Sequence, residues 1–151
     1  MSYSIHLTHN WPSARLAPYE SAISAAMARL AARFPDDISP IYIAQELLSG
    51  QRQLWLVLNE NDDFVAFLTS HIETTARGRK RLFLLELAGY GGLKLVKLLS
   101  TIESWAQSQA IDEIIATGRW GWSKAMRGQG FCPDLIHYKK EISHGKPSKR
   151  Q

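Results

Sequence analysis

Two features of this 151-residue chain have the makings of chemistry. The first is the run Ala88-Gly89-Tyr90-Gly91-Gly92-Leu93-Lys94, which lies between an apolar stretch and a helical pattern. A helix start carries backbone amides with no acceptor and about half a positive charge. Glycines let that backbone approach an anion with no side chain in the way. Gly89, Gly91 and Gly92 therefore read as a phosphate or pyrophosphate cradle, with Lys94 adding charge in the first turn. A plain tight connection is the competing reading. The run is not G-x4-G-K-[ST]. Nor is it G-x-G-x-x-G, because Leu93-Lys94 stand where the third glycine belongs. The second feature is Glu86, set between Leu85 and Leu87. A carboxylate in an apolar strand is costly unless it is paired or faces a cleft. Facing solvent and pairing with an Arg or Lys both stay open. Glu73 is a second carboxylate on the neighbouring strand pattern, and Tyr138 is a phenol further on.

Other reactive groups carry less. The histidines at 6, 9, 71, 137 and 144 are scattered, and no Cys/His group has zinc spacing. His6 and His9 fall on opposite faces of a strand-like segment. No metal site is expected. The single cysteine, Cys132, cannot form an internal disulfide and reads as a small apolar filler beside Phe131 and Pro133. The charge excess is local. The chain has 18 Lys+Arg and 14 Asp+Glu, and four of the basic residues are Arg77, Arg79, Lys80 and Arg81. Without them the two signs balance. This tip suits contact with phosphate of a nucleic acid or a cofactor. A solvated hairpin end is the preferred reading, since no nucleic-acid motif accompanies it.

The elements that must hold these groups follow from periodicity. Residues 4–8 alternate as a short strand. Pro12 and Pro18 punctuate the exit. Over 19–34 the residues Ile23, Met27, Leu30 and Phe34 mark one helical face. Ser39-Pro40 reads as an N-cap with proline at the first helical position, and Gly50 ends that helix. Residues 53–59 are apolar on both faces, as in a central strand. Asn61-Asp62-Asp63 is turn chemistry. Residues 64–75 and 82–87 make an antiparallel pair about the basic tip. A long helix with Leu95, Leu98, Leu99, Ile102 and Trp105 on one face starts at the glycines. Residues 112–117 read as a strand, 120–128 as a short helix, and 135–142 as a last strand. Trp55 and Trp105 belong to the core. Trp11 covers the first helix. Trp120 and Trp122 are candidates for a pocket or a partner, and Arg119 for a phosphate or carboxylate.

The order is thus β-α-α-β-β-β-α-β-α-β, an α+β domain with a mixed, mostly antiparallel sheet. Hydrophobic residues make up 45% and charged residues 21%, which excludes a disordered chain. The longest apolar runs are five residues, such as Leu54-Trp55-Leu56-Val57-Leu58, where a membrane span needs about 20. Residues 1–6 show no secretory leader. We expect one domain over 1–145, a basic flexible tail over 146–151, and a cytoplasmic protein.

This element order and glycine junction resemble the GNAT N-acetyltransferase family. There the fourth strand ends in a loop patterned Gln/Arg-x-x-Gly-x-Gly/Ala, whose amides hold the pyrophosphate of acetyl-CoA. The matching segment is Ala88-Gly89-Tyr90-Gly91-Gly92-Leu93. Ala88 replaces the Gln or Arg and Leu93 the closing Gly or Ala. Gly130-Phe131 matches the Gly-Phe that follows the last helix of the family. The tyrosine that protonates the CoA thiolate would fall near Met126 and is missing, with Tyr138 the nearby phenol. The resemblance implies an acetyl-CoA-dependent N-acetyltransferase, with Leu87 to Lys94 at the cofactor and Glu86 or Glu73 as general base. The oxyanion donor would be a backbone amide near Leu87 or Ala88. The acceptor would be a small amine or a protein amino group. A protein partner or homodimer is compatible, and no membrane is implied. Residues 118–122, Gly-Arg-Trp-Gly-Trp, also resemble small GNAT-like proteins of bacteriophages, which implies the alternative of a catalytically silent structural or accessory protein.

Overall fold

A computed structural model describes residues 2–118 and 120–145. Five strands form one sheet in the order β1-β2-β3-β4-β5: β1 Tyr3–Leu7, β2 Gln53–Asn59, β3 Phe64–Thr74, β4 Lys80–Gly89 and β5 Glu113–Ala116. The first four are antiparallel and β5 runs parallel to β4. The helices are α1 Ser13–Leu16, α2 Glu20–Arg33, α3 Pro40–Ser49, α4 Leu99–Ser108 and α5 Ser123–Gly128. This is the mixed α+β sheet expected from periodicity. Arg119 and the basic tail 146–151 lie outside the described residues.

Local chemistry accounts for the boundaries. Ser39 Oγ accepts the Tyr42 amide at 3.4 Å and Pro40 opens α3, while Gly50 closes it at φ 81°. Asn59 Oδ1 accepts the amides of Asn61 and Asp63 at 2.9 and 3.0 Å, closing the β2–β3 turn. Thr75 Oγ1 accepts from Arg77 and Arg79 at the β3–β4 turn. The short α1 was not readable from apolar spacing, since none of its residues is buried.

Alternation along the strands divides the core between the two sheet faces. Trp55, Val57, Ala66, Leu68 and Leu82 meet Leu95, Ile102 and Ala106 on the α4 side. Trp105 meets Trp55 edge-on at 5.3 Å, and the Trp55 indole N–H donates to Ser70 Oγ. Leu56, Leu58 and Phe67 meet Ala26, Met27 and Ile43 of α2 and α3 on the other side, with Trp11 at its margin. Burying such side chains stabilises the fold by about 1.5–3 kcal/mol each.

Three expectations change. The helix after the glycines begins as a 3-10 stretch, Gly92–Leu98, before becoming α4. Its first turn has no side-chain cap and starts from two glycines, and the regular helix sets in only at Leu99. Residues 135–142 form no strand. Alternation assigns side chains to two faces, but a strand needs a neighbouring edge, and the segment lies against none within its own chain. Cys132 is exposed, so it fills no core.

Candidate functional site

The site is built where β4 parts from β5. Residues Arg81 to Leu84 of β4 pair with Glu113 to Ala116, and there β5 ends. Beyond that point β4 continues to Gly89 on β3 alone. The register against β3 also shifts there: Leu87 faces Leu68, but Leu84 faces Ser70. Leu85 and Glu86 thus share the single partner Thr69, a bulge that bends the strand and turns a side chain to a new direction. The Thr69 side chain stabilises the bulge. Its hydroxyl accepts the Glu86 amide at 3.1 Å and donates to Glu86 Oε1.

Glu86 lies on the sheet face that α2 and α3 cover. Its Oε1 also accepts from Arg52 Nη1, and the two side chains are only 12% and 13% exposed. Arg52 stands between α3 and β2, and its Nε donates to Glu46 Oε1 at 2.7 Å. Its amide bonds the Glu46 carbonyl at 3.2 Å. Burial works against the Arg52 charge. The hydrogen bonds to Glu86 and Glu46 and their negative charges outweigh it, and they hold the guanidinium above its ordinary pKa. Of the readings left open for Glu86, pairing with an arginine is the one observed. Both bonds fall on Oε1.

Backbone donors lie beside it. The Tyr90 amide bonds the Val65 carbonyl at 2.8 Å. In an antiparallel ladder, residues alternate between facing the partner strand and facing away. Ala88 therefore turns its amide to β3, and Leu87 turns its amide to the open side where β5 has ended.

The three glycines of the loop do different things. A Cβ on Gly89 would lie 2.3 Å from the Val65 carbonyl oxygen and 2.5 Å from Ala66 Cα, so this glycine serves the close approach of β3 and β4. A Cβ on Gly91 would lie 2.8 Å from Leu95 and 3.4 Å from Tyr3. Gly92, at φ +53°, has open space in front of it. The first amide bonded within the turn is Lys94, to the Gly91 carbonyl at 3.1 Å. The amides of Gly92 and Leu93 precede it and have no acceptor in the helix. Tyr90, Leu93 and Lys94 are exposed around them. Arg29 of α2 lies over the Tyr90 ring at 5.9 Å, bringing a second cation to the loop that periodicity did not reveal. The open, amide-lined cradle is therefore Gly92-Leu93 with Lys94.

The remaining sequence candidates are more distant. Glu73 shares the face of Glu86 but lies four residues beyond Thr69, about 13 Å along β3. It is exposed and bonds His71 Nε2 at 2.8 Å. His71 was not read as chemical from the sequence. It stands between Thr69 and Glu73 on the same face, against Phe83, and an imidazole held by a carboxylate is an arrangement that can accept a proton. Tyr138 is 86% exposed. Trp122 is half-buried. The basic tip is partly spent within the fold: Arg81 Nε and Arg79 Nη2 reach Glu113 at 2.7 and 3.5 Å. Among the described residues no cluster of metal-ligating side chains occurs, and no helix is long and apolar enough to cross a membrane.

No family model matches the chain, and no curated protein matches it. Solved structures do. Glucosamine-6-phosphate N-acetyltransferase from Arabidopsis thaliana superposes with TM-score 0.66 at 11% identity, covering 95% of this chain and 100% of that one. An aminoglycoside acetyltransferase from an uncultured soil metagenomic sample gives 0.63 at 13%, covering 95% and 100%. An acetyltransferase of Trypanosoma brucei gives 0.63 at 12%, covering 93% and 100%. The chain has the fold of the GNAT acetyltransferases. At these identities the likeness speaks for fold alone, and fold does not imply function.

Proposed function

We propose that this chain is an acetyl-CoA-dependent N-acetyltransferase acting on a small amine or a protein amino group. The observation that carries the reading is the convergence, at one end of β4, of three groups that acyl transfer needs. These are an open amide cradle at Gly92 and Leu93, an outward amide at Leu87, and a fixed carboxylate at Glu86. The cradle suits a pyrophosphate, with Lys94 and Arg29 adding positive charge. The Leu87 amide suits the oxygen of a tetrahedral intermediate, where a preorganised donor is worth about 3–4 kcal/mol. Glu86 Oε2 suits the proton of the acceptor amine, directly or through water, while Arg52 and Thr69 hold the other oxygen. The acetyltransferase fold of the similar structures agrees with this assignment.

Calorimetric titration with acetyl-CoA and CoA tests it. Binding in the micromolar range is expected, and loss of it in Gly92→Glu. Gly92 is the position to mutate, because a side chain on Gly91 would collide with Leu95 and confuse misfolding with lost binding. In an amine-acceptor screen, Glu86→Gln should lower turnover about 10²–10⁴-fold and leave CoA affinity intact. Absence of binding at millimolar CoA would overturn the proposal and leave a silent acetyltransferase-shaped scaffold.

A further inference from the structure

We infer that the acceptor is an amine carried on an aromatic ring by a short alkyl arm, its ring lying on Phe83 and His71 and its nitrogen at Glu86. The nitrogen end rests on the acetyltransferase reading, and the ring site rests on the sheet alone.

A strand alternates its faces, so Phe83 and Glu86, three residues apart, would point to opposite sides of a regular β4. The bulge cancels that parity. Leu85 and Glu86 share the partner Thr69, so one extra residue is taken up between Phe83 and Glu86. Phe83 pairs with His71, and the two rings meet at 5.4 Å and 50°. His71 lies two residues from Thr69, the residue whose hydroxyl holds Glu86. Aromatic ring and carboxylate are therefore neighbours on one face, about 7 Å apart along the strand.

These rings are not part of the core. The pairing of β2 with β3 stops at Ser70, so His71 and Phe83 lie past the end of β2. Phe83 and Ile115, its neighbour on β5, are half-buried. Among the described residues they pack into neither of the two core clusters. Two rings set at 50° form an angled notch, which a third ring fills by edge and face contact. Glu73 and Arg81, paired across the two strands, give the notch a polar rim at its far end. At the near end Glu46, Arg52 and Glu86 set two carboxylates against one guanidinium. That cluster is one positive charge short, and an ammonium supplies it. An apolar floor with a few placed polar groups is the pattern of a small-molecule site. An amine without a ring would leave Phe83 in water. A polyamine would bring its second cation to the rim that Arg81 already occupies.

The test is titration with phenethylamine, and with ethylamine as the same arm without the ring. Calorimetry and saturation-transfer NMR follow binding to the chain alone and with CoA present. Phe83→Ala, Phe83→Leu and Ile72→Ala are run beside the wild type, with circular dichroism on each. Ile72 lies next to His71 on the opposite face, so its variant is the control. Phenethylamine should bind at least about tenfold more tightly than ethylamine, with saturation reaching its ring. Both Phe83 variants should lose that preference, and Ile72→Ala should keep it. With acetyl-CoA, the same preference should appear in kcat/KM. Equal binding of the two amines overturns the inference. So does a preference that survives both Phe83 variants, or one lost equally in Ile72→Ala. Phe83→Leu keeps an apolar side chain of similar size, so it decides the matter if Phe83→Ala unfolds. Failure of the amines to bind beside normal CoA binding overturns this inference alone. Failure of CoA to bind, with the ring preference intact, overturns the acetyltransferase reading alone.

Discussion

Replacing Gly89 and Gly92 separately by alanine should separate packing from binding in the β4–α4 loop. A Cβ on Gly89 would sit 2.3 Å from the Val65 carbonyl oxygen and 2.5 Å from Ala66 Cα, and both neighbours are backbone that cannot swing aside. The residue also has φ +133°, which L-residues avoid. Conformational strain of about 1–2 kcal/mol and overpacking of about 1–3 kcal/mol together predict a loss of about 2–5 kcal/mol for Gly89→Ala. For a chain of this size that is a drop in Tm of about 4–20 °C. Gly92 has nothing within 4 Å and φ +53°, so Gly92→Ala pays strain alone, about 1 kcal/mol and about 2–4 °C. The order reverses for ligand. At a temperature where both variants are folded, Gly92→Ala should weaken CoA binding at least about tenfold, since it adds a side chain at the proposed anion cradle. Gly89→Ala should bind within a few-fold of wild type. Thermal melts by circular dichroism and calorimetric titration read the two effects. A Gly89→Ala protein with native Tm and no CoA affinity would refute the division of labour. So would a Gly92→Ala protein as destabilised as Gly89→Ala.

Arg52→Ala should cost about 2–4 kcal/mol in urea denaturation, because it leaves Glu86 and part of Glu46 enclosed without a countercharge. Glu86→Gln should cost less, since the Thr69 hydroxyl keeps a bonding partner, and a double-mutant cycle should show coupling above about 1 kcal/mol. The hydrogen bond from Arg81, with the Arg81 and Arg79 charges, holds Glu113 below its ordinary value of 4.5 despite some opposing desolvation. Its folded-state pKa is depressed, so its contribution is complete above about 4.5 and fades as pH falls through the lower folded value. Glu113→Gln should therefore lower Tm slightly at neutral pH and leave it unchanged in acid, so that the acid limb of a Tm-against-pH curve is flatter. His71→Ala should leave turnover within about tenfold of wild type if Glu86 takes the amine proton; a collapse of kcat with intact CoA binding would move that role to the His71–Glu73 pair.

Wherever chemistry between near neighbours decides, the sequence was enough. Ser39-Pro40 and Gly50 bound α3 because a cap, a proline and a left-handed glycine act within one turn. The two-sided apolarity of residues 53–59 placed β2 inside the sheet because burial on both faces has no other solution. Glu86 stood out because an acid among leucines must be compensated. What compensates it was not legible: Arg52 lies 34 residues away in sequence, and only the pairing of β2, β3 and β4 in one sheet brings the α3–β2 turn within reach of Glu86. The Leu85-Glu86 bulge was hidden for the same reason, since a register shift belongs to two strands at once. The three glycines looked equivalent in the chain, and the neighbours of each divided them into two that pack and one that opens to solvent. The segment 135–142 marks the limit most plainly. Its alternation is the pattern of a strand, but a strand exists only with an edge to bond to, and periodicity within one segment carries no information about where that edge is.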